Sequence, residues 1–439
     1  MSFPRRFASA RTGPPEETRG LARPEHVRKV LLILTSQCNL RCGYCFQNAK
    51  RPGAMSWEVA QRSLDLAVGS DSDDVEVTFF GGEPLIEFET IRRSVAYVEE
   101  RRRAGHGIRY SLSTNGLLFT EEILEFLGRH AFQVQWSFDG VPAAQALRGR
   151  GTFDRMDAWL SRLMSEPAFG PVAERLRIAL TLVPRNVAWL ADSIDYFLEK
   201  SVHEITIGPA VTPEPGWRVE GIAELEAQFD RILESMVLHR RRTGEVPLLV
   251  FGDGPIARSA DPGTIEACGA ASGEEVAVDV DGQAHSCGMF ADSTQRFRTK
   301  FLAERVEDMR LGDLRAPEFG ARYGALPEAA VRAGIFSGKE RKRSSYGRCG
   351  ECAYLAACSI CPVSIANAPG NEDPDRIPDF PCAYNLVALK HRDAFWARVA
   401  VARFPFRDAA LPAAMLRVRA AAAPRRSVRG PVSASEAAR

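Results

Sequence analysis

An apolar run, Val30-Leu-Leu-Ile-Leu34, passes without interruption into a loop that carries three cysteines, Cys38-Asn-Leu-Arg-Cys42-Gly-Tyr-Cys45. A run with no polar alternation suits a strand buried on both faces in a parallel sheet, which puts the cysteine loop at a carboxyl strand end. In α/β folds the reactive groups collect at those ends. Three thiolates spaced C-x3-C-x2-C can each take one corner of a 4Fe-4S cube, leaving one iron without a protein ligand and open to another molecule. Zinc or simple packing is the competing reading. Structural zinc favours paired C-x2-C units closed by a fourth local ligand, whereas the nearest histidine, His26, lies upstream of the strand.

At 439 residues the chain is too long for one ordinary core, so two domains are expected. Its 57 basic and 56 acidic residues nearly cancel, which removes the charge argument for nucleic acid or a membrane surface as partner. Residues 1–25 are polar and rich in Pro and Arg, with no apolar signal-peptide core, and no stretch approaches the roughly twenty apolar residues of a membrane span. A cytoplasmic location follows as the expectation. In a reducing compartment ten cysteines point to metal ligation before disulfides.

Further strands are expected at Val75–Phe80, Ile108–Ser113, Val134–Ser137, Arg177–Val183 and Glu204–Ile207, with helices between them at Ser56–Ala67, Phe88–Arg103 and Glu121–His130. Six alternating units describe an α/β fold, either a partial TIM-like (β/α)6 barrel or an open sheet. A charged helix over Val219–Arg242 follows, after which the pattern changes: Glu275–Val280 reads as a strand, Asp281-Gly282 as a hairpin turn and Gln283–Met289 as the returning strand. The organisation expected is a tail over 1–25, a core over 26–245, a cysteine-stapled domain over 246–395, and a helix with an Ala/Arg-rich tail over 396–439.

The second expected strand ends in Phe79-Phe80-Gly81-Gly82-Glu83-Pro84, where paired glycines allow close approach to the backbone and a carboxylate stands beside them. Together with the cysteine loop one βα unit upstream, this resembles the radical S-adenosylmethionine (radical SAM) superfamily. The resemblance implies that Cys38, Cys42 and Cys45 hold a 4Fe-4S cluster whose free iron chelates S-adenosylmethionine, that Tyr44 lies near adenine, and that Gly81, Gly82 and Glu83 flank the methionine. One-electron reduction then yields a 5'-deoxyadenosyl radical that takes hydrogen from a substrate. The strand-end motifs Ser113-Thr114-Asn115-Gly116 and Ser137-Phe138-Asp139-Gly140 put Ser113, Asn115 and Ser137 where ribose hydroxyls would lie. Gln145 and Ala146 replace the His-Asp pair common in the family, and Arg148 or Arg150 is implied as the partner of the S-adenosylmethionine carboxylate.

The remaining cysteines follow C-x13-G-x4-C over Cys268, Gly282 and Cys287, then C-x2-C-x5-C-x2-C over Cys349, Cys352, Cys358 and Cys361, with Cys382 distal. This resembles the SPASM domain, which binds two auxiliary 4Fe-4S clusters, making three clusters in all. The usual spacing between the third and fourth cysteines of the central motif is one residue longer than here. By the family's interleaved ligation, Cys349, Cys352, Cys358 and Cys382 hold the farther cluster. Cys268, Cys287 and Cys361 hold the nearer one, with a fourth ligand open among water, Asp281, His285 and substrate; His285 otherwise reads as a hairpin surface residue.

The resemblance implies a maturase that oxidises or crosslinks a precursor peptide or protein, served by a reductant such as flavodoxin or ferredoxin. Anaerobic sulfatase maturation to formylglycine is the alternative; that group carries a basic Asp directly after the second-strand cysteine, where this chain has Gly288. A non-catalytic iron-sulfur electron carrier is a third reading, against which the Gly81–Pro84 strand end argues. About 27 residues precede the first strand, too few for a leader-binding module, so a separate leader-binding protein, or the barrel and SPASM surfaces, are expected to serve.

Overall fold

The computed structural model describes residues 26–47, 53–212, 216–252, 254, 256, 269–294, 300–333, 338–366, 368 and 371–402. The expected tail over 1–25, most of the C-terminal segment (403–439) and Cys268 lie outside them. One compact unit runs to Trp396; of the second, Ala397–Arg439, residues 397–402 are described and are helical.

Six parallel strands form the core: β1 (Lys29–Thr35), β2 (Asp74–Gly81), β3 (Gly107–Thr114), β4 (Gln133–Ser137), β5 (Leu176–Leu182) and β6 (Ile205–Pro209). Every pairing from β1 to β6 is between consecutive strands and parallel. Helices cross between them: α1 (Trp57–Val68), started by the Ser56 hydroxyl accepting from Val59 N–H, α2 (Phe88–Arg101), and α3 (Glu121–Arg129), started by Thr120 on Ile123 N–H. Short polar side chains at these N-caps satisfy donors that the first helical turn leaves open. After β6 a 3-10 turn, Val219–Gly221, leads into the long helix Ile222–Thr243.

The hairpin expected to open a separate region joins this same sheet. β7 (Glu275–Val278) lies parallel to β1 on the side away from β2, β8 (Gln283–His285) returns antiparallel to β7, and β9 (Arg310–Asp313) pairs antiparallel with β8. The described sheet is therefore open, with order β6-β5-β4-β3-β2-β1-β7-β8-β9. β1 has a strand on each edge, and its apolar run Val30–Leu34 is buried on both faces, burial continuing to Thr35. β8 ends four residues short of Met289 because the backbone turns into a 3-10 helix at Gly288–Phe290, whose Gly288 carbonyl accepts from the Thr294 hydroxyl at 2.7 Å. His285, read from sequence as a surface residue, is fully buried between β7 and β9.

Where β1 and β2 leave the sheet, their backbones touch. Gly82 N–H donates to Thr35 O and Glu83 N–H to Gln37 O, both at 2.8 Å. A Cβ on Gly81 would meet Thr35 O at 2.4 Å, and one on Gly82 would meet Gln37 O at 2.0 Å. Gly81 also takes φ +143°, a region L side chains rarely adopt. Gly82→Ala is expected to lower stability by about 2 kcal/mol or more. Thermal unfolding checks this against Gly170→Ala, where an added Cβ meets open space.

Candidate active site at the strand ends

A cleft of ≈ 290 Å³ opens at the carboxyl ends of the parallel strands. The cysteine loop forms one wall, with Cys38, Cys42 and Cys45 all lining it, and the ends of β2, β3, β4, β5 and β6 form the floor. Tyr44, Gly81, Gly82, Ser113, Asn115, Ser137 and Arg148 reach this cleft as well. Its volume is at the lower end of small-molecule sites, about 300 Å³ and upward.

Glu83 does not line the cleft. Its carboxylate is fully buried and accepts from the Thr114 hydroxyl at 2.7 Å, Asn115 N–H at 2.8 Å and Leu85 N–H at 3.1 Å. It thus fixes the end of β3 against the end of β2. Asn115 passes this order to the cysteine loop, donating from Nδ2 to Asn39 Oδ1 at 2.7 Å. Gln47 anchors the far side of the loop by donating to Gly81 O, and the Thr212 hydroxyl donates to Tyr44 O at 3.3 Å.

Of the two candidate arginines, Arg148 enters the cleft and Arg150 is exposed. Arg148 is 8% exposed and its Nε lies 2.9 Å from Asp139 Oδ1, while Nη2 donates to the Thr181 hydroxyl at 2.9 Å. Burial, the largest single influence, disfavours the guanidinium charge, but Asp139 together with Tyr44 and Cys42 outweighs it and raises the Arg148 pKa. Burial, with a smaller contribution from Asp139, pushes the Tyr44 phenol up, and its hydroxyl donates to Asp139 Oδ2. Gln145, standing where the family has a histidine, is fully buried: its Oε1 accepts from Asp139 N–H and its Nε2 donates to the Thr152 hydroxyl, each at 3.0 Å. Sequence reading assigned no role to the carboxylate of Asp139, to Gln47 or to Thr181. The Asp-Gly step at the end of β4 was the available signal for the first; long-range partners define the other two.

A second cavity, of ≈ 360 Å³, is lined by Cys349, Cys352, Cys358 and Cys382. Cys382 arrives from the first turn of the closing helix, Asp379–Ala402, and its Sγ lies 3.0 Å from the Ser344 hydroxyl. Burial, reinforced by the neighbouring cysteines, pushes the Cys349 thiol up to about 11 and Cys358 up to about 12, and burial raises Cys382 too. Thiols so placed stay protonated by themselves, and a cationic centre among them would ionise and bind them as thiolates. Among the described residues no three His, Cys, Asp or Glu side chains converge as a single metal ion requires; a cluster, being larger, spreads its thiolates farther apart. Cys287 starts the 3-10 turn after β8 and Cys361 is exposed ahead of the short helix Pro362–Ala366; neither lines the four-cysteine cavity.

The family model described as Radical SAM superfamily matches residues 32–165. Residues 32–165 form a radical SAM domain. The chain's matches among curated proteins include the radical SAM cyclopropyl synthase TigE of Paramaledivibacter caminithermalis, 29% identical over 190 residues, which are 39% of this chain and 38% of that enzyme. The cysteine-type anaerobic sulfatase-maturating enzyme of Clostridium perfringens is 32% identical over 136 residues, 28% of this chain and 37% of that one. The chain thus spans less than two thirds of these relatives' lengths. The solved structure of anSMEcpe with bound AdoMet and the Kp18Cys peptide superposes with a TM-score of 0.64 at 18% identity, covering 85% of this chain and 99% of that one, a likeness of fold.

The radical SAM family implies S-adenosylmethionine and a 4Fe-4S cluster. The residues present fit both: three cysteines face one cleft, and a buried guanidinium kept charged by Asp139 suits a carboxylate. No helix among the described residues is long and apolar enough to cross a membrane. Glu83→Gln, which keeps the shape but trades an acceptor oxygen for an NH2 group facing buried donors, is expected to cost about 1–3 kcal/mol. A drop in the thermal unfolding midpoint checks this.

Proposed function

We propose that this radical SAM enzyme is a maturase that abstracts hydrogen from a peptide and leaves it oxidised or crosslinked. The cleft that joins the three-cysteine loop to five strand ends carries this reading. Cys38, Cys42 and Cys45 bind the cluster; Arg148 orients the carboxylate of S-adenosylmethionine; Ser113, Asn115 and Ser137 face its ribose. Tyr44, Gly81 and Gly82 complete the seat, and Glu83 holds it in shape. Once bound, the cluster and S-adenosylmethionine supply a carbon radical able to take hydrogen. Leu40, Phe46, Phe80 and Val211 give the cleft an apolar side. Residues 246–395 serve as a SPASM-like region, with Cys349, Cys352, Cys358 and Cys382 on one auxiliary cluster and Cys268, Cys287 and Cys361 on the other. A one-electron donor such as flavodoxin or ferredoxin would reduce the centre, and a separate protein, or the barrel and SPASM surfaces, would hold the leader of the precursor peptide.

The neighbour of like fold was solved with a peptide, which supports a peptide substrate here. Against the formylglycine alternative stands Gly288, at which an added Cβ would lie 3.4 Å from the Leu31 side chain, in apolar surroundings unsuited to a basic carboxylate. The carboxylate of Asp279, on the same hairpin, accepts from Val280 N–H at 2.8 Å and Ser293 N–H at 2.9 Å, so it is committed to the backbone.

Reduced, reconstituted protein with S-adenosylmethionine is expected to release 5'-deoxyadenosine and to carry about 12 irons, falling to about 8 with no release when Cys38, Cys42 and Cys45 become Ala. Full iron loading without release would replace the maturase reading by the electron carrier. Mass spectrometry of a co-expressed precursor peptide is expected to show a loss of about two mass units from the oxidation.

A further inference from the structure

Behind the cleft, the carboxylate of Asp139 touches three separate elements. It is fully buried. Oδ1 lies 2.9 Å from Arg148 Nε, on the loop after β4, and accepts from Thr181 N–H on β5 at 2.9 Å. Oδ2 accepts from the hydroxyl of Tyr44, which sits between Cys42 and Cys45. An ionised carboxylate offers acceptors only, about four lone-pair sites in all, and two hydrogen bonds and an ion pair from three directions take up most of them.

We propose that Asp139 is a positioning residue that couples the two ends of the S-adenosylmethionine seat, setting the cysteine loop through Tyr44 and the carboxylate-binding guanidinium through Arg148. The inference rests on the reading of this cleft as that seat. Each partner is otherwise lightly held. Arg148 has only Thr181 and the Ala179 carbonyl besides Asp139, and the guanidinium Cζ stands 5.5 Å from the Tyr44 ring centroid. The ring and the cation therefore keep their mutual placement through this cation–π contact and through the carboxylate they share. Gln145 seats that carboxylate by taking Asp139 N–H, which gives the buried glutamine between β4 and Arg148 a purpose. Displacing either end by an ångström is enough to weaken a chelated, doubly anchored ligand.

The test is S-adenosylmethionine affinity, read by equilibrium dialysis and by the change it causes in the EPR spectrum of the reduced cluster. Asp139→Asn is expected to keep the wild-type iron content while weakening affinity about tenfold or more, and the rise in KM for S-adenosylmethionine is expected to exceed the fall in kcat. Tyr44→Phe keeps the ring and removes only the hydroxyl that reaches Asp139; it is expected to weaken affinity in the same direction. Combining the two changes is expected to cost less than the sum of both. If Asp139→Asn fails to load iron, Tyr44→Phe alone decides. An affinity within about twofold of wild type for the loaded variants would overturn the coupling. Wild-type protein whose EPR spectrum ignores S-adenosylmethionine would instead overturn the reading of the cleft, so the two failures are separable.

Discussion

The contact on which the site depends is the approach of two backbones at the exits of β1 and β2. Thr35 and Gln37 accept from Gly82 and Glu83 at hydrogen-bond distance, and a Cβ at either glycine would stand inside the opposing carbonyl. The cysteine loop leaves β1 at this contact, so its starting direction is set by a β2 strand end that has no side chains to keep it away. The paired glycines then serve the packing of two loops. Any backbone they leave open to a ligand is a consequence of that packing.

Around this contact the site is built from buried carboxylates that bind several donors each. Glu83 spends its carboxylate on the end of β3, and Asp139 spends its own on β5, Arg148 and Tyr44. Burying charge is costly unless it is paired and hydrogen-bonded, so each of these groups holds its neighbours in one arrangement. The rigidity suits a cofactor that must be aimed, because orientation supplied by the protein is entropy the reaction does not lose later. The four-cysteine cavity follows a different rule. There, burial raises the thiols well above their ordinary range, so they stay neutral unless a cationic centre draws them off as thiolates.

Much of the core was legible because it is local. Periodicity and breakers marked all six parallel strands to within two residues of their ends, and the apolar run of β1 announced a strand with neighbours on both sides. What periodicity cannot carry is partnership. Nothing in Glu275–Val278 says that it will lie against β1, since a parallel pairing over such a separation depends on the whole chain between. For the same reason His285 looks like a surface residue until β9 covers it.

The sequence by itself narrowed the chemistry the chain can carry, because thiol spacing within one short loop limits what that loop can bind regardless of its surroundings. It also determined the strand-end positions of Gly81, Ser113, Asn115 and Ser137, through alternation and turn residues. Only the tertiary structure decided between Arg148 and Arg150, turned Glu83 from the cleft into a brace, and made Asp139 the shared partner of a tyrosine and an arginine. Each of those outcomes depends on which buried charge finds a partner within hydrogen-bond reach, and partners far apart in sequence are brought together only by the packed sheet.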